Sequence, residues 1–388
     1  MNDRKILWIN PSFLDYRVPL YAEMSKNLDN NFFLLYSKKR VPERCHKKVT
    51  EILGTNALYI EKERSLKLGY KYTFANTGVK IPFPTGLYKK IKSVKPHLII
   101  AEGFFQFTPW AVWYSLIHRI PLMIAYERTA HTERNCPFYR RWYRKFINLF
   151  VDGYIVNGSL TKEYLISQNV KPKVIFTGAM CADSICLSQA AAKLSDEEKK
   201  LIKIDIVGKE KTGLTYVYAG QIINRKGVNH LLDVWTKHIE KYADDKLIIV
   251  GNGTLLEEYK KRYAHPSVIF TGTIDYSHIY KYYAVSDVFV IPTLEDNWSL
   301  VVPEAMACGL PIACSIYNGC HPELIKEGIN GKTFDPLVQE STIEVLKYFH
   351  TTDLKEMGRN SIEIEKKFNP KNTAINIINA IKHFLYNK

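Results

Sequence analysis

The chain has 388 residues, of which 46% are hydrophobic and 24% are charged. That much apolar material is enough for two domains of ordinary size and excludes a disordered protein. The formal net charge is +15, and the whole excess lies in residues 1–200, which hold 32 Lys and Arg against 17 Asp and Glu, whereas residues 201–388 hold 22 of each. A basic half predicts a ligand of negative charge, such as a phosphorylated molecule, an anionic lipid or a nucleic acid.

Cysteine use and hydropathy indicate the compartment. The seven cysteines are scattered and form no Cys-x-x-Cys pair, which is typical of buried thiols in a reducing environment. The first apolar run is too short for a signal peptide, and no stretch reaches about 18 uninterrupted apolar residues. We therefore expect a cytoplasmic protein without a membrane span.

Residues 1–180 alternate between buried strands and helices. We predict six strands in this half: Lys5–Asn10, Asn31–Tyr36, His97–Ala101, Pro121–Tyr126, Asp152–Val156 and Val174–Phe176. The third of these strands is followed by Glu102, and the fourth is followed by Glu127 and the loop that contains His131. This alternation is typical of a Rossmann-like domain.

Residues 136–150 predict an amphipathic helix. Aromatic residues recur at every fourth position: Phe138, Trp142, Phe146 and Phe150. Cations occupy much of the remaining surface: Arg140, Arg141, Arg144 and Lys145. Such a helix suits a membrane interface with anionic lipid, which would place the protein peripherally on the inner face of the cell membrane. In the alternative, the aromatic face packs on the sheet and the arginines lie in solvent; the sequence leaves both open.

The second half follows a connection over residues 178–213 and again alternates strands with helices. We predict four strands in it: Tyr216–Ala219, Leu247–Val250, Val268–Gly272 and Asp287–Ile291. Gly251 and Gly253 follow the second strand and would allow the backbone to approach a ligand closely. A terminal helix is predicted at Thr373–Leu385.

The segment Pro292–Pro311 carries the clearest functional pattern. It leaves the buried strand Asp287–Ile291 and predicts a helix over Leu300–Cys308, with Ser299 as its N-cap and Gly309 just after its end. The carboxyl end of a parallel strand is where ligands bind in open α/β sheets. The segment is therefore expected to form part of a binding site.

Two acidic residues of this segment suit a hydroxylated ligand. Asp296 lies in the loop, and Glu304 lies about one turn inside the helix, where its carboxylate can accept two hydrogen bonds from neighbouring hydroxyls. The amides of Asn297, Trp298 and Ser299 are further candidate donors to the ligand. In the alternative, Asp296 is only a second capping residue and Glu304 only complements the helix dipole.

The same segment resembles the acidic-x7-acidic motif of family 4 glycosyltransferases, which are retaining enzymes with the GT-B fold. Asp296 stands where the family usually has Glu, and Glu304–Pro311 matches the family pattern. Gly220–Val228 resembles the family's Gly-Arg-Leu…Lys-Gly stretch. The resemblance implies that Asp296 contacts the donor sugar and that Glu304 holds the ribose. It also implies that Arg225 and Lys226 bind the diphosphate.

The resemblance extends to an acceptor site in the first half. His131 is the candidate for the histidine that many family members place near the acceptor. Glu127 stands at the strand end where that histidine is common, and Glu102 is a further candidate. Asp183 falls where the family often has an Asn-Gly-Val-Asp ending, although a plain loop aspartate fits equally well.

We therefore predict an α/β protein of the GT-B class, with two Rossmann-like domains facing each other across a cleft. The expected boundaries are residues 1–180 for the acceptor domain, 181–365 for the linker and donor domain with Gly220 and Gly251, and 366–388 for a helix that packs back on the first domain. The predicted reaction is retaining transfer of a sugar from a UDP- or GDP-linked donor to a lipid-linked or surface-polysaccharide acceptor. An anionic membrane surface is a further expected partner of the basic half.

The sequence contains no Asp-x-Asp pair, so we expect no metal ion and no cofactor, with cationic side chains in place of the metal. Two other functions stay open. One is a nucleotide-sugar epimerase of similar shape, and the other is a non-catalytic protein that binds nucleic acid. The second has no aromatic RNP-like strand or helix-turn-helix pattern in its support, so we expect no nucleic-acid partner.

Overall fold

The computed structural model describes residues 3–68, 79–182, 184–208 and 213–386. Asp183, noted above, lies outside the described residues. The chain divides into two compact units. Unit 1 comprises Met1–Cys181 together with Pro370–Lys388, and unit 2 comprises Ala182–Asn369. The terminal helix thus belongs to the same unit as the first half of the chain.

Unit 1 is built on a parallel sheet of seven strands. Its strands are β1 (Ile6–Ile9), β2 (Phe32–Ser37), β3 (Ala57–Ile60), β6 (Leu98–Glu102), β7 (Leu122–Tyr126), β8 (Gly153–Val156) and β9 (Ile175–Phe176), with an antiparallel hairpin of β4 (Glu63–Leu68) and β5 (Val79–Pro84). Its helices are α1 (Val18–Asn27), α2 (Glu43–Leu53), α3 (Leu87–Val94), α4 (Thr108–His118), α5 (Phe138–Asn148), α6 (Ser159–Ser167) and α16 (Pro370–Tyr386). The strand order is β3-β2-β1-β6-β7-β8-β9. All six predicted strands are present, whereas β3 and the hairpin were not predicted.

Helices cover both faces of this sheet, because successive side chains of a strand point to opposite sides. In β1, Ile6 and Trp8 belong to the core shared with α1, α2 and α16. Leu7 and Ile9 belong to the core shared with α3, α4, α5 and α6. A strand buried on both sides reads as a continuous apolar run, which is why the sequence pattern located it.

The structure decides how α5 is rotated, and it contradicts the arrangement in which the aromatic face packs on the sheet and the arginines lie in solvent. Arg144 is 3% exposed and forms a buried ion pair with Glu133. Its Nη1 also donates to the hydroxyl of Tyr126 at 3.1 Å. The helix therefore packs on the sheet through Arg144 and Ile147, while most of its aromatic side chains face solvent.

Unit 2 is built on a second parallel sheet, of six strands. Its strands are β10 (Thr215–Ala219), β11 (Lys246–Val250), β12 (Val268–Gly272), β13 (Val288–Ile291), β14 (Ile312–Ser315) and β15 (Gly331–Phe334). Its helices are α7 (Ile185–Ala192), α8 (Asp196–Val207), α9 (Val228–Lys241), α10 (Leu256–Arg262), α11 (Ile279–Ala284), α12 (Val301–Ala307), α13 (His321–Leu324), α14 (Gln339–Tyr348) and α15 (Leu354–Glu365). The strand order is β12-β11-β10-β13-β14-β15, the doubly wound order of a Rossmann fold.

A buried polar cluster fastens three elements of unit 2 together. Asp245 precedes β11 and accepts hydrogen bonds from Nε2 of His238 at 2.8 Å and Nε2 of His350 at 2.9 Å. Its other oxygen accepts from the amide of Leu214 at 2.7 Å. The side chains of His238, Asp245 and His350 offer atoms of the kind that bind metal ions. Because both histidines already hydrogen-bond the carboxylate of Asp245, a structural role is favoured.

Two general findings bear on the predictions about compartment. All seven cysteines are free thiols, and five of them are buried. Among the described residues, no helix combines the length and the apolar character that crossing a bilayer requires.

Candidate functional site

The two sheets share a feature that positions a site in each unit. The chain leaves the first strand toward one side of the sheet and later returns to pair with that strand on its other side, which makes a topological switch point. In unit 1 this point lies between β1 and β6, and in unit 2 it lies between β10 and β13. Ligands of open α/β sheets bind outside the carboxyl ends of the strands at such a point.

In unit 2, the two loops at the switch point are joined by an ion pair. Lys226, in the loop after β10, contacts the carboxylate of Asp296, in the loop after β13. The side chain of each residue is only 13% exposed. The carbonyl of Arg225 accepts the amides of Leu294 at 2.9 Å and Glu295 at 3.2 Å, so the backbones of the two loops are tied as well. The structure therefore brings together the two sequence segments that carried the resemblance.

The carboxylate of Asp296 is held in its charged form. Burial alone would raise its pKa, but Lys226 and the Ser299 hydroxyl lower that pKa below its ordinary value, with a further contribution from Arg225. Ser299 Oγ donates to Asp296 Oδ2 at 2.6 Å, and the amide of Trp298 donates to Oδ1 at 3.2 Å. The site thus holds a preorganised charge pair rather than a loose surface contact.

The expected N-cap of α12 is wrong. The helix begins at Val301 with Leu300 as its N-cap, and no side chain caps it. The Ser299 hydroxyl is engaged by the charged Asp296 instead of by the amides of the first turn. The amide of Ser299 donates to Oδ1 of the buried Asn318 at 3.3 Å. The amides of Trp298 and Ser299 are therefore used within the protein and are not available as donors for a ligand.

Glu304 lies in the first turn of α12 and is 6% exposed. Its carboxylate accepts the hydroxyl of Tyr276 on Oε1 at 3.1 Å and the hydroxyl of Tyr283 on Oε2 at 3.4 Å. Tyr283 is 1% exposed, whereas Tyr276 is 49% exposed. The carboxylate thus holds two hydroxyl groups at once, which is the bonding that was predicted for Glu304 toward a ribose.

Two further side chains belong to the loops at this switch point. Arg225 is exposed, and its Nη1 donates to the carbonyl of Glu295 at 3.2 Å. Oδ1 of Asn297 is buried and has no hydrogen-bond partner among the described residues. A buried acceptor without a partner is uncommon in a folded protein, and a ligand donor would satisfy it.

The glycines that follow the strands let neighbouring loops approach each other, and their predicted contact with a ligand stays a prediction. Gly220 has φ 152° and Gly251 has φ 140°. A Cβ on Gly251 would lie 1.9 Å from the carbonyl oxygen of Gly220. The amide of Gly220 in turn donates to the carbonyl of Val250 at 3.0 Å. The close approach of the two loops therefore depends on these glycines.

In unit 1, a charge cluster occupies the equivalent switch point. Arg17, just before α1, is 2% exposed, and its Nη2 lies 3.0 Å from Glu127 Oε1 and 3.4 Å from Glu102 Oε1. Its Nη1 donates to the carbonyl of Ala179 at 3.3 Å. The indole nitrogen of Trp8, on β1, donates to Glu102 Oε2 at 3.0 Å. One buried cation is thus shared by two carboxylates.

Burial within this cluster changes the protonation of Glu102. Burial raises the pKa of Glu102 to about 7; attraction by Arg17 opposes the rise, and repulsion from Glu127 adds to it. Glu127 is 32% exposed at its side chain and is the more accessible of the two carboxylates. His131 is half-buried in the following turn, and its carbonyl accepts the guanidinium of Arg134 at 2.6 Å.

Arg17 and Trp8 were not singled out from the sequence. One signal could have found Arg17, because it is the only Lys or Arg between Lys5 and Lys26 and stands between the first strand and the first helix. That is the position of the phosphate-binding turn in doubly wound folds. The absence of glycines in this loop drew attention away from it.

Sequence comparison finds a family pattern in unit 2. Residues 213–348 match the family model Glycosyl transferases group 1. The chain is 30% identical over 151 residues to the sulfoquinovosyl transferase SQD2 of Arabidopsis thaliana, which is 38% of this chain and 29% of that protein. It is 32% identical over 143 residues to an uncharacterized glycosyltransferase of Methanocaldococcus jannaschii, which is 36% of each. The matched stretches span about a third of the length of these curated relatives.

Structural comparison extends over the whole chain. A glycosyltransferase from Rickettsia africae has a TM-score of 0.75 at 15% identity, with 100% of both chains covered. Anabaena HepE, solved with UDP, has a TM-score of 0.74 at 15% identity, with 97% of this chain and 99% of that chain covered. Likeness at this identity establishes the fold, and the predicted α/β GT-B class is confirmed. The whole chain therefore has the GT-B fold, and residues 213–348 carry the sequence pattern of the group 1 glycosyltransferases.

Proposed function

We propose that this protein transfers a sugar from a UDP- or GDP-linked donor, with retention of configuration, to a lipid-linked or surface-polysaccharide acceptor. The observation that carries the proposal is the buried pair of Lys226 and Asp296 at the switch point of unit 2. A cation fixed at the carboxyl ends of parallel strands is suited to an anionic ligand. Anabaena HepE was solved with UDP and also with UDP-glucose, which supports a nucleotide-sugar donor here.

Lys226 and Arg225 would stabilise the leaving diphosphate. Negative charge accumulates on that group as the bond between sugar and phosphate breaks. An ammonium group offers three N–H donors, so Lys226 can contact Asp296 and still donate to phosphate oxygens. Arg225 adds a planar fork suited to the same oxygens. The two cations would supply the charge stabilisation that a metal ion provides in other transferases.

Asp296 and Glu304 would orient the two ends of the donor. The hydroxyls of Tyr276 and Tyr283 occupy both oxygens of Glu304, as two neighbouring ribose hydroxyls would. Because Tyr276 is half exposed, it can move aside, whereas Tyr283 is fixed in the core. Asp296 keeps its charge and would accept a hydroxyl of the donor sugar, with the unpartnered Asn297 Oδ1 as a further acceptor.

Unit 1 would serve the acceptor. Glu127 is the accessible member of the Arg17 cluster, and His131 follows it in the same loop. Two curated relatives support an acceptor of lipid or cell-surface type. They are a human phosphatidylinositol N-acetylglucosaminyltransferase component, 27% identical over 120 residues, and the putative teichuronic acid biosynthesis glycosyltransferase TuaC of Bacillus subtilis, 29% identical over 104 residues. An acceptor of this kind would place the protein at the inner face of the cell membrane.

Donor binding and turnover test this proposal directly. UDP- and GDP-sugars would be screened for thermal stabilisation of the full chain, and the stabilising donors would then be incubated with a lipid-linked acceptor. We expect transfer that needs both Lys226 and Glu304. If Lys226→Ala and Glu304→Ala both leave transfer intact, the site is assigned wrongly. Isomerised sugar formed from the donor alone would indicate the epimerase instead.

A further inference from the structure

The helices α3, α4 and α5 lie on one face of the unit 1 sheet. Leu87 and Ile91 of α3, Ala111 of α4 and Ile147 of α5 belong to the same buried core on that side. The other side of the sheet is covered by α1, α2 and α16. We call the outer side of α3, α4 and α5, extended to Leu149, the α3–α5 surface. This surface consists of the side chains of these helices that do not take part in the buried core.

Helix α5 presents an apolar stripe on this surface. The four side chains of the stripe are between 57% and 77% exposed: Phe138, Trp142, Phe146 and Leu149. The stripe faces outward because Arg144, on the opposite side of the helix, is held by Glu133 and Tyr126. Its exposure therefore follows from a buried ion pair and not from loose packing.

Helix α4 extends the apolar area. Trp113 and Leu116 are each 53% exposed, and Ile117 is 52% exposed. Phe105, in the loop that leads into α4, stacks its ring on Tyr143 of α5 with centroids 4.9 Å apart. The sequence alone pointed to residues 136–150, whereas the fold adds a second helix to the same surface.

The charges around this area all have one sign. The three helices contain seven Lys and Arg and no Asp or Glu. Four of these cations are exposed on the same helices as the apolar side chains or on the neighbouring α3: Lys89, Lys92, Arg141 and Lys145. Long cationic side chains can extend their charge to a polar layer while their stems cover apolar surface. Such a surface is complementary to a partner that is acidic and partly apolar.

The opposite face of the same sheet provides an internal reference. Helices α1, α2 and α16 carry three glutamates, and their exposed large apolar side chains are only Ile52, Ile375 and Tyr386 among the described residues. Both faces belong to one sheet and one unit. Both sets of helices carry cations, so the local properties of the α3–α5 surface are its exposed apolar side chains and its lack of acidic residues.

We propose that the α3–α5 surface lies flat on an anionic lipid bilayer, with Trp142 and Trp113 inserted at the level of the headgroups. Aromatic rings beside Lys and Arg are the side chains that favour this layer. A single-stranded nucleic acid would stack on the aromatic rings but would leave Leu116, Ile117 and Leu149 without a role. The inference deepens the proposed function, since a lipid-linked acceptor would reach the protein from this surface, but it has a separate test.

Vesicle sedimentation of the full chain provides that test. We expect binding to vesicles of phosphatidylcholine mixed with phosphatidylglycerol, weaker binding to phosphatidylcholine alone, and a decline with added salt. The pairs Phe138→Ser with Trp142→Ser, and Trp113→Ser with Leu116→Ser, should each lower the binding constant at least about tenfold. Replacing the four exposed cations by Gln should lower it by about fivefold for each cation.

The matched control is the pair Ile52→Ser with Ile375→Ser on the opposite face, which should bind like the unchanged protein. A cooperative thermal unfolding transition like that of the unchanged protein shows that each variant is folded. The proposal is overturned if the two apolar pairs and the control bind vesicles alike. It is also overturned if single-stranded RNA is bound and the same variants lose it while vesicles are not bound. Vesicle binding with no turnover of any nucleotide sugar would instead overturn the proposed function alone.

Discussion

The switch points of the two units both pair a cation with a carboxylate, but they differ in whether a second cation or a second carboxylate stands beside the pair. In each unit a buried cation stands between the first strand and the first helix of the sheet, Arg17 before α1 and Lys226 before α9. In each unit this cation contacts a carboxylate across the switch point. In unit 1 the carboxylate is Glu102, at the end of β6, and in unit 2 it is Asp296, in the loop after β13. Unit 2 adds a second cation, Arg225, whereas unit 1 adds a second carboxylate, Glu127.

This difference teaches that the fold fixes where a ligand binds, while the local balance of charge fixes what kind of ligand it is. In unit 2, Lys226 and Arg225 both stand at the switch point, where the proposed donor would meet them. In unit 1, the guanidinium of Arg17 is engaged by Glu102, Glu127 and the carbonyl of Ala179, so the proposed acceptor would meet the accessible carboxylate of Glu127 instead. Burial is the main cause of the raised pKa of Glu102, and repulsion from Glu127 adds to it.

The largest expected effect is on catalysis through unit 2. Lys226→Ala should lower the turnover of sugar transfer by about 10²- to 10³-fold, because it removes a preorganised donor to the leaving group. Steady-state kinetics with the preferred donor measures this. Lys261→Ala, at an exposed lysine of the same unit, should leave turnover unchanged. Equal rates for both variants would remove Lys226 from the site.

The next effect is on the stability of unit 1. Arg17→Met leaves two carboxylates facing each other without a cation, and should lower the free energy of unfolding by about 3 kcal/mol. Arg44→Ala breaks an exposed ion pair with Asp15 and should cost about 0.2–1 kcal/mol. Calorimetry of the full chain compares the two. If Arg17→Met lowers the free energy of unfolding as little as Arg44→Ala does, then Arg17 is not needed to neutralise Glu102 and Glu127.

A smaller effect is expected on donor affinity. Glu304→Gln keeps the shape of the side chain but removes the charge that would hold the ribose hydroxyls, at a cost of about 1.5–3 kcal/mol. That corresponds to roughly a ten- to hundredfold weaker binding of UDP. Titration calorimetry measures the constant. The exposed Glu258→Gln serves as the control, and unaltered UDP binding in Glu304→Gln would contradict the ribose role.

The smallest effect is a dependence of stability on pH. Because folding raises the pKa of Glu102 from 4.5 to about 7, the folded state binds more protons than the unfolded state between these values. The stabilisation is therefore complete below about pH 4.5 and is lost as pH rises through about 7, with a loss of about 1 kcal/mol between pH 6 and 8. Glu102→Gln should remove this slope in calorimetric scans. A slope of unchanged size would place the titrating group elsewhere.

The sequence by itself determined the class of fold and one side of the site. Apolar runs such as Leu247–Val250 are local, and a strand buried on both faces leaves a continuous record in neighbouring residues. The pattern around Asp296 and Glu304 is local in the same way, so unit 2 was recognised from it. Short edge strands such as β15 leave a weaker record and were not predicted.

Only the tertiary structure decided which charges meet. Lys226 and Asp296 are 70 residues apart, and Arg17 and Glu127 are 110 apart, so each pairing depends on strand order, which no local pattern contains. The rotation of α5 has the same origin. The aromatic repeat of α5 is compatible with a helix that turns its aromatic face toward the sheet or toward solvent. The aromatic rings face outward because Arg144, on the other side of the helix, is buried against Glu133. A buried charge must find its partner in the folded chain, and that requirement outweighs the preference of an apolar stripe for the core.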